Sequence, residues 1–147
     1  MPTDAPDDSS HRTLDLPCEI PSVTEARIAL LGALEQQGVD DRLASDAATV
    51  FSELLINAML HGDPDEDGLV HGSWAVTAEG PDHHVELTVR DAGGSGRPHL
   101  ELADEDASAG RGLRIVDAMC ETWSVDTTVG TTVTAELRTR PGGPTRD

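Results

Sequence analysis

The apolar residues of this chain change period near Gly62, and that switch constrains the fold more than any other feature. Upstream, Val50, Phe51, Leu54, Leu55, Ala58 and Met59 recur at helical spacing. Downstream, Val70, Gly72, Trp74, Val76 and Ala78 occupy one phase of a strand. After a turn at Pro81-Asp82, Val85, Leu87 and Val89 occupy one phase of the next. Two long helices followed by mostly sequential strands imply an α+β protein. The expected architecture is a two-layer α/β sandwich, with a mixed, mostly antiparallel sheet and helices on one face.

The remaining elements follow from local signals. Arg12–Cys18 alternates weakly and reads as an edge strand. Ser22-Val-Thr-Glu25 reads as a capping box opening a first helix, which Gly38 ends. Asp40 or Asp41 caps a second, longer helix that runs to His61, with Gly62 as its stop. Residues 93–110 form a loop rich in glycine, proline and acid, long enough to suggest function. A helix is expected over Gly112–Glu121, then strands over Trp123–Val129 and Thr131–Arg138 meeting at Gly130. Residues 1–11 read as a disordered acidic leader, 12–138 as one domain and 139–147 as a flexible tail.

Charge bounds the partners. The chain of 147 residues has a formal net charge of -18, and every cationic side chain is arginine. Such a surface repels nucleic acid and anionic membranes, so neither is expected as a direct partner. A polyanionic ligand such as a nucleotide would bind against this field and calls for a divalent cation. The absence of lysine excludes Schiff-base chemistry and the phosphate-binding P-loop lysine. No apolar run reads as a membrane span or a signal-peptide core, which suggests a cytoplasmic protein. Cys18 and Cys120 receive no role, and aromatics make up only 2% of the chain, so aliphatic residues must fill the core.

Three short segments carry the chemistry. Glu53, Asn57 and His61 lie at i, i+4 and i+8, forming one polar stripe on an otherwise apolar helix. Asp91 continues the inward phase of Val85, Leu87 and Val89 and is followed by Gly93, Gly94 and Gly96. A carboxylate in a buried phase needs donors, and an exocyclic amine of adenine would be one, although an aspartate that merely caps a turn also fits. Gly110-Arg111-Gly112-Leu113 opens a helix, where free backbone N–H groups and the arginine suit phosphate. Taken alone, a Gly-x-Gly pair is often only a helix start.

The order Glu-x-x-x-Asn, Asp-x-Gly, Gly-x-Gly-Leu, Gly130-Thr131 resembles the Bergerat-fold ATP-binding domain of the GHKL superfamily. Within it the chain looks like the compact serine/threonine kinases that act as anti-sigma factors. The resemblance runs from about Thr13 to Leu137, and Glu53-Leu-x-x-Asn57-Ala58-x-x-His61-Gly62 is its most specific box. It implies that Glu53 is the general base on an acceptor hydroxyl and that Asn57 coordinates Mg2+ bridging the phosphates. It implies that Asp91 holds the adenine amine with help from Thr131. Ala58, His61, Gly93, Gly96, Gly110, Arg111, Gly112 and Leu113 would complete the ATP site, with residues 94–109 as its lid. The cofactors implied are ATP and Mg2+, and the implied partners are an anti-sigma-factor antagonist, phosphorylated on serine, and a sigma factor. A homodimer follows by the same analogy.

One departure supports a second reading, a non-catalytic nucleotide-gated regulatory protein. Ser95 stands where the family pattern has glycine, and Gly96 comes one residue later. The acids Glu101, Asp104, Glu105 and Asp106 also crowd the lid segment. A third reading is a structural adaptor that binds no nucleotide. Other signals are set aside. Asp63-x-Asp65-x-Asp67-Gly68 imitates half an EF-hand, but Trp74 occupies the place of its bidentate glutamate, so it reads as a solvated acidic loop. The six histidines lack zinc-site spacing, and His83-His84 reads as a strand start.

Overall fold

In the computed structural model, residues 10–93 and 114–139 are described. Strand β1 (His11–Pro17) leads into helices α1 (Pro21–Gln36) and α2 (Asp41–His61). Strands β2 (Leu69–Glu79), β3 (Asp82–Asp91), β4 (Thr122–Asp126) and β5 (Thr131–Arg138) follow. A further helical segment spans 114–119. The five strands form one sheet in the order β1-β2-β3-β5-β4. Every pairing among the described residues is antiparallel, in keeping with the mostly antiparallel sheet expected.

Both long helices pack on one face. Leu16, Val70, Trp74, Val76, Val85, Leu87, Val89, Val133, Ala135 and Leu137 meet Leu30, Leu34, Phe51, Leu54 and Leu55 in a single core. Phe51 and Trp74 meet edge to face, with ring centroids 5.9 Å apart. Gly72 leaves the space that Phe51 fills, since a Cβ there would lie 2.8 Å from Cζ. Trp74 is buried with its indole N–H lacking an acceptor. The opposite sheet face is polar, and one row across it reads Asp15, His71, Arg90, Thr132 and Asp126.

Helix boundaries show which local signals operate. The expected capping box at Ser22 is absent: α1 starts at Pro21, its N-cap is Ile20, and Ser22 is buried inside the helix. Pro21 supplies a preset φ and has no N–H to satisfy. Backbone bonds from Ser22 N–H to Glu19 O and from Val23 N–H to Ile20 O replace the side-chain cap. At the other end, Val39 N–H reaches Leu34 O and Gly38 N–H reaches Glu35 O, with Gly38 at φ 77°. This is a Schellman stop, which needs a left-handed residue at that point. Asp40, and not Asp41, caps α2, accepting Leu43 N–H at 2.7 Å.

Two further expectations change. By length and composition α2 could cross a bilayer, contrary to the sequence reading, but it lies as a core helix with half of that stretch buried inside the fold. Strand β4 ends at Asp126, short of Val129. Asp126 Oδ1 accepts Thr128 N–H at 2.8 Å, which curls the chain into a turn and leaves Val129 exposed.

Candidate functional site

The end of α2, the end of β3 and the start of β5 come together at one edge of the sandwich. Asp91, the last residue of β3, is 8% exposed and pairs in register with Thr131. Its Oδ1 accepts Gly93 N–H at 2.6 Å, and the carboxylate also accepts Asp63 N–H. The other oxygen rests on Gly62, where a Cβ would overlap both Oδ2 and Cγ. Gly62 therefore does more than stop the helix: it is the seat of the carboxylate. Its φ of -96° is open to any residue, so contact and not backbone freedom requires glycine here.

The turn into β5 is fitted as closely. Gly130 has φ 67°, and a Cβ there would overlap Asp91 O, while one on Gly93 would lie 3.1 Å from Gly130 Cα. Two glycines thus let the β3 and β5 ends approach without side chains between them.

Burial pushes the Asp91 carboxyl above its usual range. The N–H groups of Gly93 and Asp63 pull the other way, and the nearby Asp63 carboxylate adds to the rise. Two backbone donors do not exhaust a carboxylate, which offers about four acceptor positions. The group can take one more donor from a ligand, and the glycine-lined surroundings let a flat one approach.

Glu53 and Asn57 lie half-buried on α2, on the turns that precede this carboxylate. Helical rise places Asn57 about 8 Å before Gly62 along the axis and Glu53 about 6 Å further. The order away from the β3 end is Asp91 carboxylate, Asn57 carboxamide, Glu53 carboxylate. His61 is half-buried at the last position of α2. Ala58 turns its methyl into the core, and its carbonyl accepts Gly62 N–H at 2.9 Å. Gly96, Gly110, Arg111, Gly112, Leu113 and the segment 94–109 lie outside the described residues.

Sequence reasoning missed two neighbours. The thiol of Cys18, at the end of β1, points to Met59 O at 3.8 Å. Burial raises its pKa, and repulsion from Asp91 and Asp63 raises it further, which places it beside the same carboxylate. Asp63, set aside as part of a solvated loop, receives Ala92 N–H on its carbonyl at 2.8 Å and gives its own N–H to Asp91. Nothing in residue type separates Asp63 from its acidic neighbours; its hydrogen bonds to the β3 end are made by its backbone. Among the described residues no cluster of three His, Cys, Asp or Glu side chains could hold a metal ion.

This geometry agrees with what comparison with known proteins finds. Residues 16–137 match the histidine kinase-like ATPase domain, and the chain belongs to that family, the GHKL group of ATP-binding domains. No curated protein matches in sequence. Among solved structures, the fold is similar to the structure of the RsbU and RsbW domains of Rv1364c from Mycobacterium tuberculosis. That match has a TM-score of 0.63 and 21% identity, and covers 88% of this chain and 32% of the other. The chain thus spans about a third of that protein's length. It is also similar to the SiaB-SiaC complex from Pseudomonas aeruginosa, with a TM-score of 0.54 and 15% identity, covering 87% and 88% of the two chains. Family membership implies an ATP site, and these likenesses establish the fold.

Proposed function

We propose that this chain is an ATP- and Mg2+-dependent serine/threonine protein kinase that acts as an anti-sigma factor. It would phosphorylate a serine of an antagonist protein and sequester a sigma factor, in the cytoplasm and as a homodimer. One observation carries the reading: the buried Asp91 carboxylate sits on Gly62 at the end of the helix that bears Asn57 and Glu53. Asp91 would hold the adenine amine, Asn57 the phosphates with their metal ion, and Glu53 would serve the acceptor hydroxyl.

The donor set fits the cofactors. Mg2+ commonly takes one or two protein oxygens and completes its shell with phosphates and water. The Asn57 carbonyl would be the protein oxygen of such a shared ion. Bound ATP with Mg2+ supplies the transferable phosphoryl group and offsets its charge. Asn57 orients the phosphates. Glu53 accepts the proton of the serine hydroxyl as general base. Asp91 and Thr131 fix the base end, and Gly110–Leu113 would hold phosphate oxygens through backbone N–H groups. The RsbW and SiaB likenesses support placing the chain among anti-sigma-type regulators.

The test is phosphate transfer to candidate antagonists by native protein and by Glu53→Gln. Transfer lost with Mg-ADP binding retained is the expected result. The second reading, a nucleotide gate, rests on Ser95 and the acidic lid segment. Its signature is nucleotide binding without transfer to any antagonist, and that outcome would displace the kinase reading.

A further inference from the structure

The loop between α2 and β2 is tied down at both ends, and its outer tie is a histidine on the sheet face away from the helices. His71 Nδ1 lies 2.8 Å from Asp15 Oδ1 of β1, and Nε2 lies 2.8 Å from Asp65 Oδ2 of the loop. Ionised carboxylates only accept, so both ring nitrogens must carry protons for both bonds to form. The clamp is complete with an imidazolium, and a neutral ring must give up one carboxylate.

Asp65 transmits this tie. While Oδ2 meets His71, Oδ1 accepts the N–H groups of Asp67 at 2.8 Å and Leu69 at 3.0 Å. Its backbone closes the same turn, with Asp65 N–H to Leu69 O and Gly68 N–H to Asp65 O, both 2.9 Å. Pro64, with a fixed φ, joins this turn to Asp63. Asp63 in turn gives its N–H to the Asp91 carboxylate and accepts Ala92 N–H.

We infer that His71 is a positioning residue for the nucleotide site: as an imidazolium bridging Asp15 and Asp65, it holds the loop whose Asp63 backbone orients the Asp91 carboxylate. This rests on the reading of Asp91 as the adenine acceptor. The charged groups facing His71 are Asp15 from β1, Asp65 from the loop and Arg90, its register neighbour on β3. Partial burial and Arg90 disfavour protonation, but the hydrogen bonds to Asp15 and Asp65 outweigh them, so the net pKa shift is upward from 6.5. A raised folded-state value means that the clamp is held at low pH and lost as pH rises through it.

Calorimetric titration of the full chain with Mg-ADP, from about pH 6 to about pH 9, tests this. ADP titrates too, so the readout is the ratio of His71→Gln to native Kd at each pH. The ratio should be about fivefold at the acid end and approach one at the alkaline end. Asp65→Asn should behave like His71→Gln. Asp15→Asn, which spares the Asp65 bond, should move the transition to lower pH, and it carries the test if His71→Gln does not fold. His84→Gln removes a pairing with Glu136 on the same sheet face and should keep the native profile. A folded His71→Gln with native affinity and pH profile overturns the inference while leaving the nucleotide site intact. A native protein that binds no Mg-ADP overturns the nucleotide reading, and this inference with it.

Discussion

Replacing Gly62 by alanine asks the fold to put a methyl group where the Asp91 carboxylate lies. The backbone there, at φ -96° and ψ -169°, accepts alanine without strain. Loss of a glycine even favours the native state by about 0.5–1 kcal/mol, through the unfolded chain. Contact decides the outcome. The new Cβ would overlap Asp91 Oδ2 and Cγ and lie 2.8 Å from Ala58 O. The carboxylate cannot simply retreat, because Gly93 N–H holds Oδ1 at 2.6 Å. If it swings away, two backbone donors lose an acceptor, at about 1–3 kcal/mol for each buried group. If instead the helix end lifts from β3, overpacking costs about 1–3 kcal/mol. The cheaper route less the glycine gain leaves a net loss of about 1 kcal/mol, or about half a molar in urea midpoint. Calorimetry should also show Mg-ADP affinity reduced more than about tenfold, since the displaced group is the proposed base acceptor. Gly38→Ala is the control: at φ 77° with nothing within 4 Å, it strains the backbone by about 1–2 kcal/mol but touches no site residue. The two variants lose similar stability, so affinity separates them. A Gly62→Ala protein with native midpoint and native affinity would refute the reasoning.

Three other perturbations follow from the same geometry. Asp91→Asn should abolish Mg-ADP binding. The folded pKa of Asp91 lies above 3.8, so the native state takes up its proton first and native protein should gain stability relative to the variant as pH falls through that raised value; parallel urea midpoints at stepped pH would contradict this. Cys18 should react with iodoacetamide more slowly than a free thiol at mildly alkaline pH, because burial and the Asp91 and Asp63 charges suppress its thiolate. Peptide mass mapping reads that rate, and a value equal to that of free cysteine removes the argument. Trp74→Phe deletes a buried N–H that has no acceptor while keeping an aromatic against Phe51, so the loss should stay within about 1 kcal/mol in urea unfolding. A loss near the ~3–5 kcal/mol of a tryptophan truncation would mean the donor is satisfied in solution.

Much of the architecture was legible because burial is written into periodicity. The phase of Val85, Leu87 and Val89 does run on to a buried Asp91, and Gly38 does end its helix in a left-handed turn. Errors fell where two local signals compete. Ser22 and Glu25 satisfy the spacing of a capping box, but Pro21 begins the helix two residues sooner and buries the serine. Val129 looks like a strand residue, yet Asp126 caps a turn before the strand reaches it.

The chain itself determines which residues face inward, where its elements stop and which polar groups share a helix face, since these depend on neighbours within a few positions. Only tertiary structure decides that Gly62 is a seat, that Asp63 acts through its backbone, and that Asp15, Asp65 and His71 meet. Those contacts join β1, the α2–β2 loop and the β3 end. No periodicity reports them, because the distance that matters is through space, set by the sheet register and by the way α2 lies across it.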